Sequence, residues 1–347
     1  MFRTFHCLLE SVMLAGASLS TPFTRLFGIR HPIVSAPMGR AAPPELVAAV
    51  TNAGGLGGLG LTWDSPQRIV ELVTKTRQLT NDGPFLANFV LEWDQHERLD
   101  AALSAGARIV SFFWGDPARY IDRAKAAGAM VIHGVGTPDE ARRAVELGVD
   151  AIVAQGNEAG GHVWSRVSTM VLVPLVVDAA GGAPVLAAGG IADGRGLAAA
   201  LVLGASGAWI GTRFLASPEA AYHADYKQRL VEAAATDTVE SVLFDGGWPN
   251  APGRALRNRT VQLWEDAGRP KSGSRPGEGD EIGRTPEGNV VRRYAIASKL
   301  SGGTGSIDDF VIWAGQSVGL VHDIRPASEI VTDVVREASE TLARSAT

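Results

Sequence analysis

Eight short apolar runs recur along the chain, and each is followed by a stretch with helical periodicity. This alternation constrains the fold more than any other feature of the sequence. The runs are nearly continuous in apolar residues, which is typical of parallel strands that are buried on both faces of a sheet. The eight runs span residues 33–36, 56–61, 85–90, 109–114, 130–135, 151–155, 185–188 and 208–211.

Three of the intervening stretches begin with a capping side chain followed by proline, at Ser65, Asp116 and Thr137. That pairing is typical of a helix start. Eight strand–helix units close naturally into a barrel, so we predict an α/β chain folded as a (β/α)8 TIM barrel. A doubly wound open sheet is the alternative. It usually carries a glycine-rich dinucleotide turn after its first strand, and the residues APMG that follow the first run here lack that fingerprint.

The alternation breaks after Phe214. We predict that residues 22–215 and 305–347 form the barrel. The residues between them, 216–304, are predicted to form a small, mostly helical insertion after strand 8, either a lid or a second domain.

Within the insertion, residues 218–235 form an alanine-rich helical pattern. Residues 271–288 are dense in glycine, proline and charged residues, which predicts an exposed, mobile loop. Helical patterning returns over residues 307–320 and 327–342.

The charge and cysteine content exclude several classes of protein. The net charge is -5 and no block of Lys or Arg stands out, which argues against nucleic acid or an anionic membrane as a partner. Cys7 is the single cysteine, so an intramolecular disulfide and a cysteine metal cluster are both excluded. No apolar run is long enough to span a bilayer. We therefore expect a cytoplasmic protein with a small-molecule substrate; the sequence does not indicate its oligomeric state.

Residues 1–21 are predicted to be an N-terminal extension. An early Arg3 and the apolar residues that follow superficially resemble a secretion signal, but His6 and Glu10 interrupt the apolar core. Nothing downstream requires an oxidising compartment. Export is therefore the less favoured interpretation, and Met13 is an alternative start.

The sixth apolar run leads directly into an irregular polar loop, residues 155–164, with the sequence QGNEAGGHVW. Gly160 and Gly161 have no Cβ, so a flat ligand could lie against their backbone. His162 is the only side chain of the loop that exchanges protons near neutral pH. The loop therefore predicts a functional site with His162 at its centre; the alternative is that His162 merely caps the next helix.

Glycines also follow the seventh and eighth runs, as Gly189 and Gly190 and then as Gly211 with Thr212. In many barrels these two neighbouring loops bind phosphate through exposed backbone N–H groups. The alternative is that the glycines simply permit tight turns. Because the pattern occurs at both strand ends, we predict a phosphorylated ligand. The strand ends are poor in carboxylates, so neither a metal site nor a paired-acid hydrolase is expected.

At this point the chain resembles the nitronate monooxygenase family, formerly called 2-nitropropane dioxygenases, which are FMN-dependent barrels. The resemblance covers about residues 24–216 and 305–330. It is carried by the segments HPIVSAPM, TNAGGLGGLG, PFLANF, VSFFWG, DAIVAQGNEAGGH, APVLAAGGIADG, GASGAWIGTRF and AGQSVGLVHDI.

The resemblance implies FMN as the cofactor and assigns roles around it. His162 would be the catalytic histidine. His133, at the end of the fifth run, would either act at the flavin or be structural. The remaining residues would contact FMN: the backbone of Ala36, Pro37 and Met38 at the ring face, Asn88 and Gln155 at the ring edge, Gly160 and Gly161 close to the flavin, and Gly189, Gly190, Trp209, Ile210, Gly211 and Thr212 at the phosphate.

The implied reaction is oxidation of alkyl nitronates, and in a wider interpretation nitroalkanes, by O2 to a carbonyl compound and nitrite. The same scaffold leaves an alternative open, an NAD(P)H-dependent FMN reductase acting on enoyl-acyl-carrier protein or quinones. A phosphosugar isomerase and a non-enzymatic flavin-binding module are further alternatives. Two departures from the family pattern affect the substrate: Trp164 is expected to narrow the pocket, and Phe113 and Trp114 make it more apolar.

Overall fold

The computed structural model describes residues 19–345, and in this range eight parallel strands form a barrel. The predicted (β/α)8 TIM-barrel fold is thus confirmed. Strand 8 pairs with strand 1 in the register Ile33 to Ala208, and a parallel bridge between Val34 and Leu56 joins strand 1 to strand 2. Barrel strands 1 to 8 are Ile33–Ser35, Gly57–Gly60, Phe85–Val90, Ile109–Phe113, Met130–Val135, Ala151–Gln155, Val185–Ala188 and Gly207–Ile210.

Helices surround the barrel, and two of the three predicted caps, Ser65 and Thr137, are confirmed; the third, Asp116, lies one residue before the N-cap Pro117 and accepts a hydrogen bond from the Ala118 N–H. The Ser65 hydroxyl accepts a hydrogen bond from the backbone N–H of Arg68, and the Thr137 hydroxyl accepts one from Glu140. The helices of this layer are Pro44–Asn52, Pro66–Leu79, His96–Ser104, Ala118–Ala126, Pro138–Glu146, Thr169–Ala179, Gly194–Val202 and Ala327–Ser345, with the four-residue turn Thr212–Leu215 after strand 8.

Both faces of the barrel strands are buried, as their continuous apolar runs predict. Successive side chains of a strand point to opposite faces. Val34, Leu56 and Leu86 therefore face the barrel interior. Phe23 and Phe27 of the helix Pro22–Phe27 pack against them and close the barrel at the amino ends of its strands. The alternate residues pack against the outer helices in a larger core.

The segment 216–304 differs from the mostly helical insertion that the sequence predicts. It contains two helices, but also strands of two small sheets. These strands have two to four residues each and contain glycine and charged residues, so no alternating pattern marks them. Its elements are the helices Ala224–Glu232 and Arg259–Asp266, the single 3-10 turn Ala235–Asp237, and the strands Thr238–Ser241, Gly253–Leu256, Glu281–Arg284, Val290–Arg292 and Thr304–Gly305.

The expected exposed loop at residues 271–288 is anchored by a buried arginine. Arg275 donates to the Leu243 carbonyl at 2.8 Å and to Asp245 at 2.9 Å, and its guanidinium lies over the Tyr294 ring. The glycines and prolines produce the turns, but composition cannot indicate that one side chain fixes them.

Further predictions concern residues 307–320, the N-terminal extension, the domain boundaries and membrane-spanning helices. Residues 307–320 form two 3-10 turns, Ile307–Asp309 and Gln316–Leu320, instead of a helix. Residues 1–18 of the extension, which include Cys7, lie outside the described residues. The domain boundaries stay a prediction. Within residues 19–345, no helix combines the length and apolar character that a membrane crossing requires.

The contact between Gly194 and the C-terminal helix gives a test of the fold. A Cβ on Gly194 would lie 2.3 Å from the backbone nitrogen of Ala338. We expect Gly194→Ala to lower the free energy of unfolding by about 1–3 kcal/mol through overpacking. Calorimetric unfolding measures this, with Arg195→Ala on the same helix as the exposed control. An unchanged or raised stability, as helix propensity alone would give, would contradict the packing.

Candidate active site

A cavity of about 1110 Å³ lies at the carboxyl ends of the barrel strands. A drug-sized ligand typically occupies a pocket of about 300–1,000 Å³, so this cavity has room for a cofactor and a substrate together. The structure brings most of the predicted site residues to its wall: Ala36, Pro37, Met38, Asn88, Gln155, Gly160, Gly161, His162, Gly189, Gly190, Trp209, Gly211 and Thr212.

His133 and Ile210 are not part of this wall. Their strand neighbours Gly134 and Trp209 do line the cavity. Because successive side chains of a strand point to opposite faces, the side chains of His133 and Ile210 point away from it. The His133 ring is buried, with Nδ1 3.1 Å from the Phe112 carbonyl oxygen, and burial lowers its pKa to about 4. This environment matches the structural alternative for His133.

The Gln155 carboxamide holds the polar loop in place. Its Nε2 donates to the His162 carbonyl at 3.2 Å, and its Oε1 accepts from the Trp164 backbone N–H at 2.9 Å. An amide has two donor hydrogens and two acceptor lone pairs, so Gln155 keeps one of each for a ligand. It therefore shapes the loop whether or not it also contacts the flavin edge.

The insertion holds the same loop from the other side. The two-residue strand Gly161–His162 pairs antiparallel with Gly253–Leu256, and the Val163 N–H donates to the Pro252 carbonyl at 2.9 Å. Thr238–Ser241 completes this three-stranded sheet. His162 is thus positioned by a β-ladder rather than by a free loop.

Arg254 strengthens this ladder. Its buried guanidinium donates to the Asn157 carbonyl at 2.9 and 3.1 Å and pairs with Glu240 at 2.7 Å. Bonds from a charged donor are stronger than neutral ones. Because Asn157 belongs to the loop and Arg254 to the insertion, this side chain ties the two together.

Gly160 and Gly161 of the loop are glycines for different structural reasons. A Cβ on Gly160 would lie 2.3 Å from the backbone nitrogen of Gly315, so the close approach of two backbones already requires glycine. Gly161 has a φ of 72° with open space beside it. Its flat backbone face is the part of the loop that is available to a ligand.

His162 lies in an aromatic, uncharged environment. Its ring centroid is 3.9 Å from that of Trp248 and 5.1 Å from that of Trp313. Burial lowers the pKa of His162 to about 4, so the imidazole is neutral at pH 7. Its Nε2 is buried, and no group in the described part of the chain hydrogen-bonds to it. A neutral imidazole without a partner in a cavity can accept a proton from a ligand.

His162 does not cap the following helix. The Glu158 carboxylate instead accepts hydrogen bonds from the N–H and hydroxyl of Thr169, each at 2.9 Å. The Thr169 hydroxyl also lies 3.1 Å from the Gly189 carbonyl. Glu158 and Thr169 thereby join the loop to the end of strand 7, a role that sequence reasoning missed because it depends on a contact between two separate segments of the chain.

The predicted phosphate loops provide glycine backbone at the cavity wall. Gly189 and Gly190 have φ values of 100° and 75°, a conformation that favours glycine. A Cβ on Gly211 would contact Ala36 and Met38, which places the ends of strands 8 and 1 side by side. This neutral set of backbone groups fits a phosphorylated ligand, and the close approach of Ala36 and Met38 fits a flat ring system beside it.

Asn88 is buried, and its Nδ2 donates to the Ser111 hydroxyl at 2.8 Å. No donor among residues 19–345 bonds to its Oδ1, which leaves that oxygen for a ligand N–H. The Thr212 hydroxyl accepts from the Gly315 N–H at 3.0 Å and keeps its own hydrogen to donate.

Tryptophans from distant parts of the chain form much of the wall. Trp63, Trp248 and Trp313 line the cavity. Sequence reasoning assigned neither Trp248 nor Trp313 to the site. Trp164, which was expected to narrow the pocket, lies outside the wall, where its Nε1 donates to Glu140 at 2.9 Å.

The barrel, its phosphate-type loops and a neutral histidine on the cavity wall define the site of a (β/α)8-barrel enzyme. A family model described as nitronate monooxygenase matches residues 20–98 and 90–337. The chain belongs to the nitronate monooxygenase family, which confirms the resemblance seen in its motifs.

Three similar proteins illustrate the range of this family and fold. The chain is 33% identical to a nitronate monooxygenase of Pseudomonas aeruginosa over 91% of its own length and 98% of that protein. It is 40% identical to a (3aS,4S,5R,7aS)-5-hydroxy-7a-methyl-1-oxo-octahydro-1H-indene-4-carboxyl-CoA dehydrogenase of Mycobacterium tuberculosis, over 72% of this chain and 70% of that one. The structure of FabK from Thermotoga maritima is 31% identical with a TM-score of 0.79, covering 95% of this chain and 99% of that one.

Replacing Arg254 tests how the loop is held. Arg254→Met should lower the free energy of unfolding by about 1.5–3 kcal/mol, because its charged hydrogen bonds to Asn157 and Glu240 are lost. Hydrogen exchange of the amides in residues 157–162 should accelerate. Arg257→Met, at the exposed residue directly after the same strand, is the control. Equal protection of the loop in both variants would show that Arg254 does not position it.

Proposed function

We propose that the chain is an FMN-dependent oxidoreductase that oxidises nitro-activated carbon acids, alkyl nitronates and their parent nitroalkanes, with O2 to a carbonyl compound and nitrite. The observation that carries the proposal is His162, neutral and without a partner at Nε2, on the wall of a cavity with room for FMN. The family and the nitronate monooxygenase relative support the reaction class. A cytoplasmic location stays a prediction.

The proposed FMN site uses mostly backbone groups. Ala36, Pro37 and Met38 would lie against the ring, with Asn88 Oδ1 and the Gln155 amide at its edge. Gly190, Gly211 and Thr212 would hold the phosphate. When bound, FMN supplies the electron acceptor of the reaction.

His162 performs the proton chemistry of the proposal. A nitroalkane has an acidic C–H beside the nitro group, and Nε2 of the neutral imidazole accepts that proton. Gln155 and the ladder to Gly253–Leu256 hold the ring in place, while Trp248 and Trp313 exclude water from it. A preformed nitronate needs no proton removal, and His162 then only orients it.

His162→Gln separates these two roles. We expect kcat/KM for neutral nitroalkanes to fall by about 10²–10⁴-fold, the usual contribution of a positioned base. Activity on the preformed nitronate should fall much less. Nitrite release measures both, and the absorbance of bound FMN checks that the site stays intact. Equal losses on both substrates would contradict a role as base, and loss of FMN would make the residue structural.

The pH dependence follows from the burial of His162. A base works only when unprotonated, and the pKa of His162 is lowered to about 4. We therefore expect kcat/KM for a neutral nitroalkane to be flat from about pH 8 to pH 5 and to fall below that as His162 gains a proton. A fall centred near pH 6.5, the ordinary histidine value, would contradict the neutral, buried imidazole.

A second candidate is an NAD(P)H-dependent FMN reductase or dehydrogenase that acts on acyl thioesters or quinones. The similarity to FabK and to the carboxyl-CoA dehydrogenase favours it, and so does the uncharged surround of His162. Oxidation of NADH or NADPH that depends on an added enoyl thioester would support this candidate. If no enoyl thioester stimulates NADH or NADPH oxidation, this second candidate is ruled out and the oxidation of nitro compounds is the proposed function that is left.

A further inference from the structure

The inner wall of the cavity is a continuous aromatic surface. His162 stacks on Trp248 with an interplanar angle of 32°, and Trp313 adjoins His162 at 5.1 Å. On the other side Trp63 meets Trp248 edge-on at 6.3 Å. Trp63 lines the cavity and is 52% exposed. The indole face of Trp63 is therefore left in contact with solvent, which costs free energy unless a ligand covers it, whereas Trp248 beside the proposed base is buried.

A second layer of rings holds this wall rigid. Trp93 packs edge-on against both Trp63 and Trp248, at 5.7 and 5.2 Å. Trp114 lies 4.9 Å from Trp248, and its φ of 66° is a strained conformation for a bulky residue. Such strain persists only where the surroundings enforce it. The wall is thus formed before a substrate arrives, which reduces the entropic cost of binding.

Most charged residues of the cavity lie at its rim and are paired, whereas Asp64, next to Trp63, has no ion-pair partner among the described residues, and burial raises the pKa of its carboxyl. Arg40 pairs with Glu287 and Lys75 with Glu45, and each of these side chains is about half exposed. Arg68 pairs with Glu71 outside the aromatic wall. No charged side chain belongs to the wall formed by Trp63, His162, Trp248 and Trp313. A small anion would find no counter-charge there, whereas a neutral apolar group loses nothing on entering.

We infer that the substrate is a neutral carbon acid with an apolar ring next to the carbon that loses its proton to His162. The ring covers the exposed face of Trp63, and the acidic carbon lies at His162. This inference rests on the proposed function for the site of proton removal and extends it to the substrate class. The inference predicts that the site binds substrates with a ring more tightly than small open-chain nitro compounds.

Binding of inert neutral amides to the FMN-loaded protein tests the inference without turnover. Cyclohexanecarboxamide and 2-ethylpentanamide have the same number of carbons and the same branching beside the amide, but only the first has a ring. We expect a Kd about three- to tenfold lower for the cyclic amide by calorimetry, the size of a ring contact with an aromatic wall. Equal values, tighter binding of the open chain, or no binding of either amide would overturn the inference.

Variants of Trp63 test whether this residue causes the tighter binding of the cyclic amide. Trp63 is half exposed, so Trp63→Leu should fold, and it should reduce the ratio of the two Kd values to about one. Trp63→Phe keeps an aromatic face and should retain part of the ratio. Trp264→Leu changes a tryptophan outside the cavity and should leave the ratio as in the unmodified protein. A preference that survives Trp63→Leu would overturn the assignment of this wall.

Nitrocyclohexane and 2-nitropropane, assayed in parallel as neutral nitroalkanes, keep the two proposals distinguishable. Nitrite from neither, together with the ring preference in binding, would remove the proposed function and keep the ring-binding wall. Nitrite from both, with no ring preference in binding, would keep the function and remove the inference.

Discussion

The antiparallel pairing of Gly161–His162 with Gly253–Leu256 is the contact on which the site depends. The barrel delivers the loop at the end of strand 6, but the barrel alone would leave His162 on a free loop. The insertion converts that loop into a strand, and Arg254 fixes the turn before it. The same insertion brings Trp248 onto the histidine ring. The insertion is therefore part of the site.

Burial and the absence of a nearby charge together determine the chemistry of His162. A histidine in an apolar surround loses affinity for a proton, and no neighbouring carboxylate in the described residues restores it. The resulting imidazole is unprotonated at neutral pH, the form a base must have before it can take a proton from a substrate. Most charges at the rim are paired, such as Arg40 with Glu287, and no charged group shifts the pKa of His162. The aromatic wall and the neutral base thus favour the same kind of substrate.

Local patterns predicted the parts of the structure that local physics determines. Continuous apolar runs identified the barrel strands to within one or two residues, and glycines after strands 7 and 8 identified loops that do reach the cavity. The strand Gly253–Leu256 and the positions of Trp248 and Trp313 could not be predicted, because they depend on pairing between segments far apart in the chain. His133 shows a limit of a different kind: its strand was right, but His133 lies two residues before the strand end and its side chain points away from the cavity.

The most direct test of the account is an anaerobic absorbance measurement on the FMN-loaded protein, mixed in turn with a nitroalkane and with NADH or NADPH. The account predicts that the nitroalkane reduces the flavin, that His162→Gln slows this reduction, and that the nicotinamides leave the spectrum unchanged. Bleaching by NADH or NADPH alone, with no response to the nitroalkane, would contradict the account and assign the chain to the reductases.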